Sequence, residues 1–429
     1  MSSPPLRVQI ATYNFGAASG LRKAGDDLAG WLRPTLSKKA GKEPADIIAV
    51  GFQETLPLHY ALLGWSQYAV DAHDSAITAC IGGGKGYTLV SKTIHGGMAV
   101  LVYTRDETVT SRVNDVRVAA VGCGPLFMGN KGAVGVRMVL GAAKSKYEDD
   151  DDLSDETYTF VCTHLAAHDH KVKRRNADWR SIVRRLVFTP DSMSRNKHFA
   201  PGKPRNPFHR DGRRVDQMQI WDTSYLFFFG DLNYRISKTT PKPLKPQVVV
   251  HKIHNDLEAL FPQDQLRQEQ KAGRTLHHLV EAPITFKPTY KRIVGSVSEY
   301  KAKKRTPSWT DRILYASWDQ GRDEKRAHSP AVILYTAIEE IVISDHKPVT
   351  AVIDLPRVSS RIERPLRLAS PVPFPLDRAW RSKRRLGYFA DHVVGSAWCL
   401  IVLLGAGSTK RGVAVSILLL LSYLYMRMH

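Results

Sequence analysis

The sequence predicts an α/β protein in which sheet packs on sheet with helices outside, and three observations carry that expectation. Short apolar, β-branched runs recur between turn signals from residue 6 to about residue 355. They outnumber the polar, helix-compatible stretches between them, so the sheets must bury their apolar faces mainly against one another. At 429 residues and 43% hydrophobic content the chain has ample material for a core. That content excludes disorder over most of its length.

The expected strands follow in chain order. Residues 8–13 alternate in the β pattern and lie close behind Met1; no basic region or long apolar stretch of a secretory leader precedes them, so the domain is expected to begin there. Residues 47–52 and 98–103 are apolar and β-branched, as are 132–140 and 157–164. Residues 225–230 carry three consecutive phenylalanines and read as a buried aromatic strand, and 331–335 with 349–353 complete the set. No internal repeat is present. The acidic run 148–152 between two strands reads as a solvated hairpin loop or, less simply, a cation site. Residues 191–214 hold seven Lys/Arg against two Asp with three prolines, which argues against regular structure and suits contact with anionic lipid.

Beyond residue 355 the composition changes. Residues 356–387 contain nine Lys/Arg against Glu363 and Asp377, a net charge of 9 − 2 = +7, and five prolines. Residues 356–392 are therefore expected to be a basic linker. Two apolar runs, 393–407 and 413–426, are separated by a short polar stretch. Each is a little short for the roughly 20 residues of a spanning helix. Residues 393–426 are expected to anchor the chain in a membrane, as one span or as a hairpin. The basic cluster at 381–385 places the preceding domain, residues 1–355, on the cytosolic side. Short apolar runs suit a thinner bilayer, which points to the endoplasmic reticulum.

Charge and cysteine content narrow the function. The net charge of +21 points to polyanionic partners: nucleic acid, an anionic membrane face or phosphorylated substrates. Cys80, Cys123, Cys162 and Cys399 are scattered, which gives neither a disulfide framework nor a CxxC metal pair and favours a reducing compartment.

Chemistry gathers in short motifs at strand ends. Asn14 closes the first strand. Glu54 follows the second and is a good hard-oxygen ligand for Mg²⁺, although alone it would read as a surface or capping carboxylate. His164 ends the strand 157–164; alone it would read as a hydrogen-bonded structural residue. Asp231 and Asn233 lie two residues apart beyond the aromatic strand, a spacing that suits a carboxylate orienting water beside an amide that binds a phosphoryl oxygen. Asp311 and the Asp345-His346 pair supply the makings of a carboxylate-oriented imidazole.

Each motif alone is weak, but their order and number are not. Asn14, Glu54, His164, GDLNYRI (230–236), PSWTDRIL (307–314) and SDHKPV (344–349), with GNKGAV (129–134) and THLAAH (163–168), resemble the inositol polyphosphate 5-phosphatases of the endonuclease/exonuclease/phosphatase superfamily. The resemblance covers roughly residues 6–355, and the hydrophobic tail is similar to that of short, tail-anchored fungal members. It implies a four-layer α/β/β/α sandwich of the DNase I-like kind and a Mg²⁺-dependent phosphomonoesterase. Glu54 would bind the metal with Asn14 beside it. Asp231 would activate the attacking water, and Asn233 would hold the scissile phosphate. His346, oriented by Asp311, would contact that phosphate, with Asp345 next to metal and water and His164 as a further phosphate contact.

The resemblance also speaks to substrate. FKPTYK (286–291) is similar to the block that, with basic residues ahead of PSWTDRIL, binds the 4-phosphate of the inositol ring. The matching positions are Tyr290, Lys291, Lys303 and Arg305, whose cationic donors suit a doubly charged phosphate. Without that block, 303–305 would read as a solvated basic face. With a membrane tail, this implies phosphatidylinositol 4,5-bisphosphate as substrate, no nucleic-acid partner and a monomer. Thr310 stands where the family commonly has Cys, and Lys347 where Arg is commoner, so a bidentate contact at 347 is in doubt. Two rivals stand beside this reading: a nuclease of the same superfamily, which +21 would suit, and a non-catalytic phosphoinositide tether.

Overall fold

The computed structural model describes residues 5–16, 32, 43–82, 86–141, 155–190, 217–236, 244–303, 305–318, 329–356, 368, 373–403, 414, 417–418, 421–422 and 425–427. The acidic run 148–152 and the basic segment 191–214 lie outside the described residues, as does much of 393–426.

The described strands are β1 (Leu6–Asn14), β2 (Ile47–Gln53), β3 (Tyr87–His95), β4 (Met98–Arg105), β5 (Val113–Gly122), β6 (Gly132–Leu140), β7 (Glu156–His164), β8 (Tyr225–Asp231), β9 (Asp311–Ser317), β10 (Ala331–Ala337) and β11 (Val349–Leu355). They form a six-stranded sheet in the order β10-β11-β1-β2-β4-β3 and a five-stranded sheet in the order β5-β6-β7-β8-β9. The helices are α1 (Leu58–Leu62), α2 (Ser66–Cys80), α3 (Val172–Arg185), α4 (Pro246–Asn255), α5 (Gln265–Lys271) and α6 (Trp380–Leu403). All eight expected strands are present. β3, β5 and β9 are additional.

Period-two alternation decides which face each side chain joins. Val8 and Ile10 of β1 pack between the sheets against Phe160 and Cys162 of β7 and Phe227 and Phe229 of β8. Ala11 and Tyr13 of β1 turn outward onto Val70 and Ile77 of α2. On the other side, Val161, Leu226 and Phe228 turn outward onto Trp179, Ile182 and Val183 of α3. Both faces of the aromatic strand are therefore buried, which explains its unbroken apolar run. The result is a mixed α/β sandwich with the sheets face to face and a helix against each outer face.

The C-terminal helix departs from the expected linker. α6 runs without a break through the 392/393 junction where linker and anchor were expected to meet, and it packs against α1 and Met128. Among the described residues no helix is long and apolar enough to cross a membrane.

Candidate active site

Strand register sets the candidate residues in two rows at one end of the sandwich. In the second sheet Gly132 pairs with His164, His164 with Asp231, and Asp231 with Asp311. In the first sheet Asn14 pairs with Gln53, and Glu54 follows. Packing the sheets face to face brings the rows together: Asn14 Nδ2 donates to Asp231 Oδ2 over 2.9 Å. Gly230 is required for this arrangement. Its φ is +134°, and a Cβ there would lie 2.0 Å from the Thr163 carbonyl oxygen on the neighbouring strand. Glu54 and Asn233 adopt φ of 50° and 57°. The left-handed region costs most residues about 1–2 kcal/mol, although Asn tolerates it better, and such strain gathers at functional sites.

Asp231 is the hub. Besides Asn14 it accepts the Asn233 backbone N–H over 3.0 Å, and His164 Nε2 lies 3.3 Å away. Burial would raise its pKa. The hydrogen bond and charge of His164, with His346 and Arg235 nearby, outweigh burial and hold the carboxyl well below the usual carboxylate range. It is an ionised acceptor. His164 Nε2 also lies 3.7 Å from Glu54 Oε1 and 2.5 Å from Lys131 Nζ, while Lys131 sits 4.0 Å from Glu54.

The side-chain amide of Asn233 has a defined orientation. Arg235 Nη2 donates to Asn233 Oδ1, and Asn233 Nδ2 donates to the Leu165 carbonyl over 3.1 Å. An amide nitrogen has two donors, so one N–H remains for a ligand oxygen.

Asp311 and His346 form the carboxylate–imidazole pair. His346 Nδ1 lies 2.9 Å from Asp311 Oδ2, which also accepts from Thr289 Oγ1 at 2.6 Å and Thr310 Oγ1 at 2.9 Å. Burial would lower the His346 pKa, but the charge and hydrogen bond of Asp311, then Asp231 and Asp345, raise it to about 10. The imidazolium keeps Nε2–H as its second donor. Ser344 Oγ fixes the loop, donating to the Asn14 carbonyl over 2.7 Å and accepting the His346 N–H over 3.2 Å.

The 4-phosphate candidates line the flank. Lys291 Nζ pairs with Asp345 Oδ2 at 2.7 Å. The Tyr290 ring lies 4.7 Å from that of His346 and carries the Arg235 guanidinium 4.1 Å above it. Arg305 Nη1 lies 2.9 Å from His168 Nδ1, and Lys303 is exposed. Lys347 is elsewhere: it is buried, with Nζ donating to the carbonyls of Glu339 at 2.6 Å, Ile341 at 2.8 Å and Ser296 at 3.3 Å. It clamps a loop, so the question of a bidentate phosphate contact there does not arise. Motif reading gave no role to Lys131, Arg235 or His168. Lys131 had a signal, since it directly precedes the strand that pairs with His164.

The donor set suits a hard divalent cation. One side-chain atom each of Asp231, Asp311 and His346 lies within 4.8 Å of the others, but His346 Nδ1 and Asp311 Oδ2 already face each other at 2.9 Å. Glu54, whose side chain is 39% exposed beside the ionised Asp231, offers the accessible oxygens.

Comparison with known proteins bears on the family and the fold. The sequence profile described as Endonuclease/Exonuclease/phosphatase family 2 matches residues 11–352. The type I inositol polyphosphate 5-phosphatase 13 of Arabidopsis thaliana is 30% identical over 368 residues, covering 80% of this chain and 30% of that protein. The inositol-1,4,5-trisphosphate 5-phosphatase 1 of Schizosaccharomyces pombe is 30% identical over 360 residues, covering 81% and 27%. The chain thus spans less than a third of the length of these relatives. A synaptojanin inositol polyphosphate 5-phosphatase domain, solved with inositol (1,4)-bisphosphate and calcium ion, superposes with a TM-score of 0.59 at 26% identity, covering 92% of this chain and 91% of that one.

Proposed function

Because the chain belongs to the endonuclease/exonuclease/phosphatase family, we propose that it is a Mg²⁺-dependent inositol polyphosphate 5-phosphatase that converts phosphatidylinositol 4,5-bisphosphate to phosphatidylinositol 4-phosphate. The observation that carries the reading is the convergence of Asp231, Asp311 and His346, whose side-chain donor and acceptor atoms lie within 4.8 Å of one another, with Asp231 held by Asn14 and His164 and His346 held by Asp311. Asp231 accepts a hydrogen bond from the attacking water and directs its lone pair at phosphorus. His346 Nε2–H and the spare Asn233 N–H donate to the phosphoryl oxygens, where charge builds in the transition state. Glu54, with Asn14 beside it, would hold Mg²⁺. The cation, when bound, neutralises phosphate charge and acidifies water.

The flank supports a substrate with a second phosphate. Lys291, with Tyr290 beneath it, and Arg305, against His168, supply cationic donors. Residues 356–392 and 393–426 would attach the enzyme to the endoplasmic reticulum membrane, with the catalytic domain a monomer facing the cytosol. Rates on phosphatidylinositol 4,5-bisphosphate and phosphatidylinositol 5-phosphate test the 4-phosphate site. Lys291→Met should raise KM for the first lipid and leave the second unchanged. Equal effects on both would remove the 4-phosphate assignment.

A further inference from the structure

We propose that α6 is an intramolecular brace of the catalytic centre, in which Asp391 is a positioning residue acting through Gly129 on Lys131. The proposal rests on the reading of the site given above. Both carboxylate oxygens of Asp391 accept the Gly129 backbone N–H, at 2.9 and 3.1 Å, in a buried setting. Gly129 belongs to the turn that delivers Lys131. That turn is closed by the Gly124 N–H to the Met128 carbonyl at 3.0 Å and the Cys123 N–H to the Lys131 carbonyl at 2.6 Å. At its end Lys131 Nζ stands against His164 and Glu54.

A second contact leads to the same place. A Cβ at Gly129 would lie 2.6 Å from His95 Nε2, so the turn sits directly on that ring, and Tyr388 of α6 meets the ring edge-on at 5.0 Å. His95 ends β3, and in the hairpin that follows, the Gly97 carbonyl accepts the Thr55 N–H over 3.2 Å, next to Glu54. α6 therefore bears on the carriers of both Lys131 and Glu54.

Covering apolar surface would not call for a carboxylate. Leu58, Leu62, Met128 and Ala390 already form an apolar contact between α6 and the domain. Burying Asp391 is costly: burial pushes its carboxyl up to about 6, and the Gly129 N–H only partly opposes this. A carboxylate kept at that cost, on one backbone N–H two residues before Lys131, fits a role in holding the turn.

The test uses the full chain with three substitutions on the same helix. Asp391→Ala removes the acceptor, Asp391→Asn keeps a carbonyl acceptor, and Trp398→Ala removes a ring that meets His59 at a tilt of 32° and 5.7 Å. Hydrogen exchange of residues 123–131 is followed by mass spectrometry, without substrate. Turnover is followed on soluble inositol 1,4,5-trisphosphate, so that contact between α6 and lipid plays no part. Asp391→Ala should speed exchange in 123–131 and lower kcat by about threefold to thirtyfold, with KM changed less. Asp391→Asn should stay close to wild type, and Trp398→Ala should alter neither readout. Unchanged exchange and kcat in Asp391→Ala would overturn the brace, as would the same losses in Trp398→Ala. A wild-type protein that releases no phosphate would count against the function proposed above, and the exchange arm would then decide the brace by itself.

Discussion

Asn14 and Asp231, 217 residues apart in sequence, join the two sheets of the sandwich through one buried hydrogen bond of 2.9 Å. Each lies at the end of a strand, so the bond holds one row of candidate residues against the other. The same bond contributes a donor to Asp231 and helps to aim it.

Asn14→Ala should therefore affect both folding and turnover. Loss of a buried hydrogen bond to an ionised group predicts a destabilisation of about 1.5–3 kcal/mol. Turnover should fall further than the unfolded fraction explains, because Asp231 loses its orientation. Urea unfolding and phosphate release measured on one preparation separate the two effects.

Asn233→Ala should lower kcat by about 10²–10³, the usual effect of removing one donor to developing charge. Arg235→Lys should lower kcat in the same direction but less. A lysine can still contact Asn233 Oδ1, yet it cannot stack its planar fork on Tyr290. Single-turnover rates on a soluble inositol phosphate check the ranking.

The strands that could be read from sequence and those that could not differ in position. The eight expected ones include the central strands, whose β-branched and aromatic runs are buried on both faces. β3, β5 and β9, which were not expected, are all sheet edges. β3 carries Lys92 and part-exposed positions, and β5 carries Asp115 and Arg117, so their apolar pattern is broken. β9 begins with Asp311 and reads as a motif before it reads as a strand. Within the site, strand ends gave Asn14, Glu54, His164 and Asp231, and the PSWTDRIL motif gave Asp311. Lys131 and Arg235 act through contacts that only folding creates, and α6 was hidden by its basic, linker-like composition.

Stability should fall as pH rises past neutrality. The folded pKa of His346 is raised from 6.5 to about 10 by its carboxylate neighbours. Its contribution is therefore fully present below pH 6.5 and is lost as pH rises through about 10. In Asp311→Asn the nearest carboxylate charge is gone, so this alkaline loss should shrink and the basic limb of kcat should move toward neutrality. Urea titrations and rate profiles between neutral pH and the alkaline limb measure both.

Lys347→Met should separate structure from catalysis. It leaves the carbonyls of Glu339, Ile341 and Ser296 without their shared donor, a predicted loss of about 3 kcal/mol. KM for inositol phosphates should stay near wild type in the folded fraction. A large rise in KM without loss of stability would place Lys347 on the substrate instead.

The central claim is that Asp231, at the junction of the two sheets, directs hydrolysis of an inositol 5-phosphate. The most direct measurement is phosphate release from vesicles containing phosphatidylinositol 4,5-bisphosphate, with Mg²⁺ or EDTA, for wild type and Asp231→Asn. The account predicts Mg²⁺-dependent formation of phosphatidylinositol 4-phosphate, abolished by EDTA and reduced by at least about 10² in the variant. Turnover that survives EDTA or Asp231→Asn would contradict it, as would a folded wild-type protein that cleaves DNA and leaves the lipid intact.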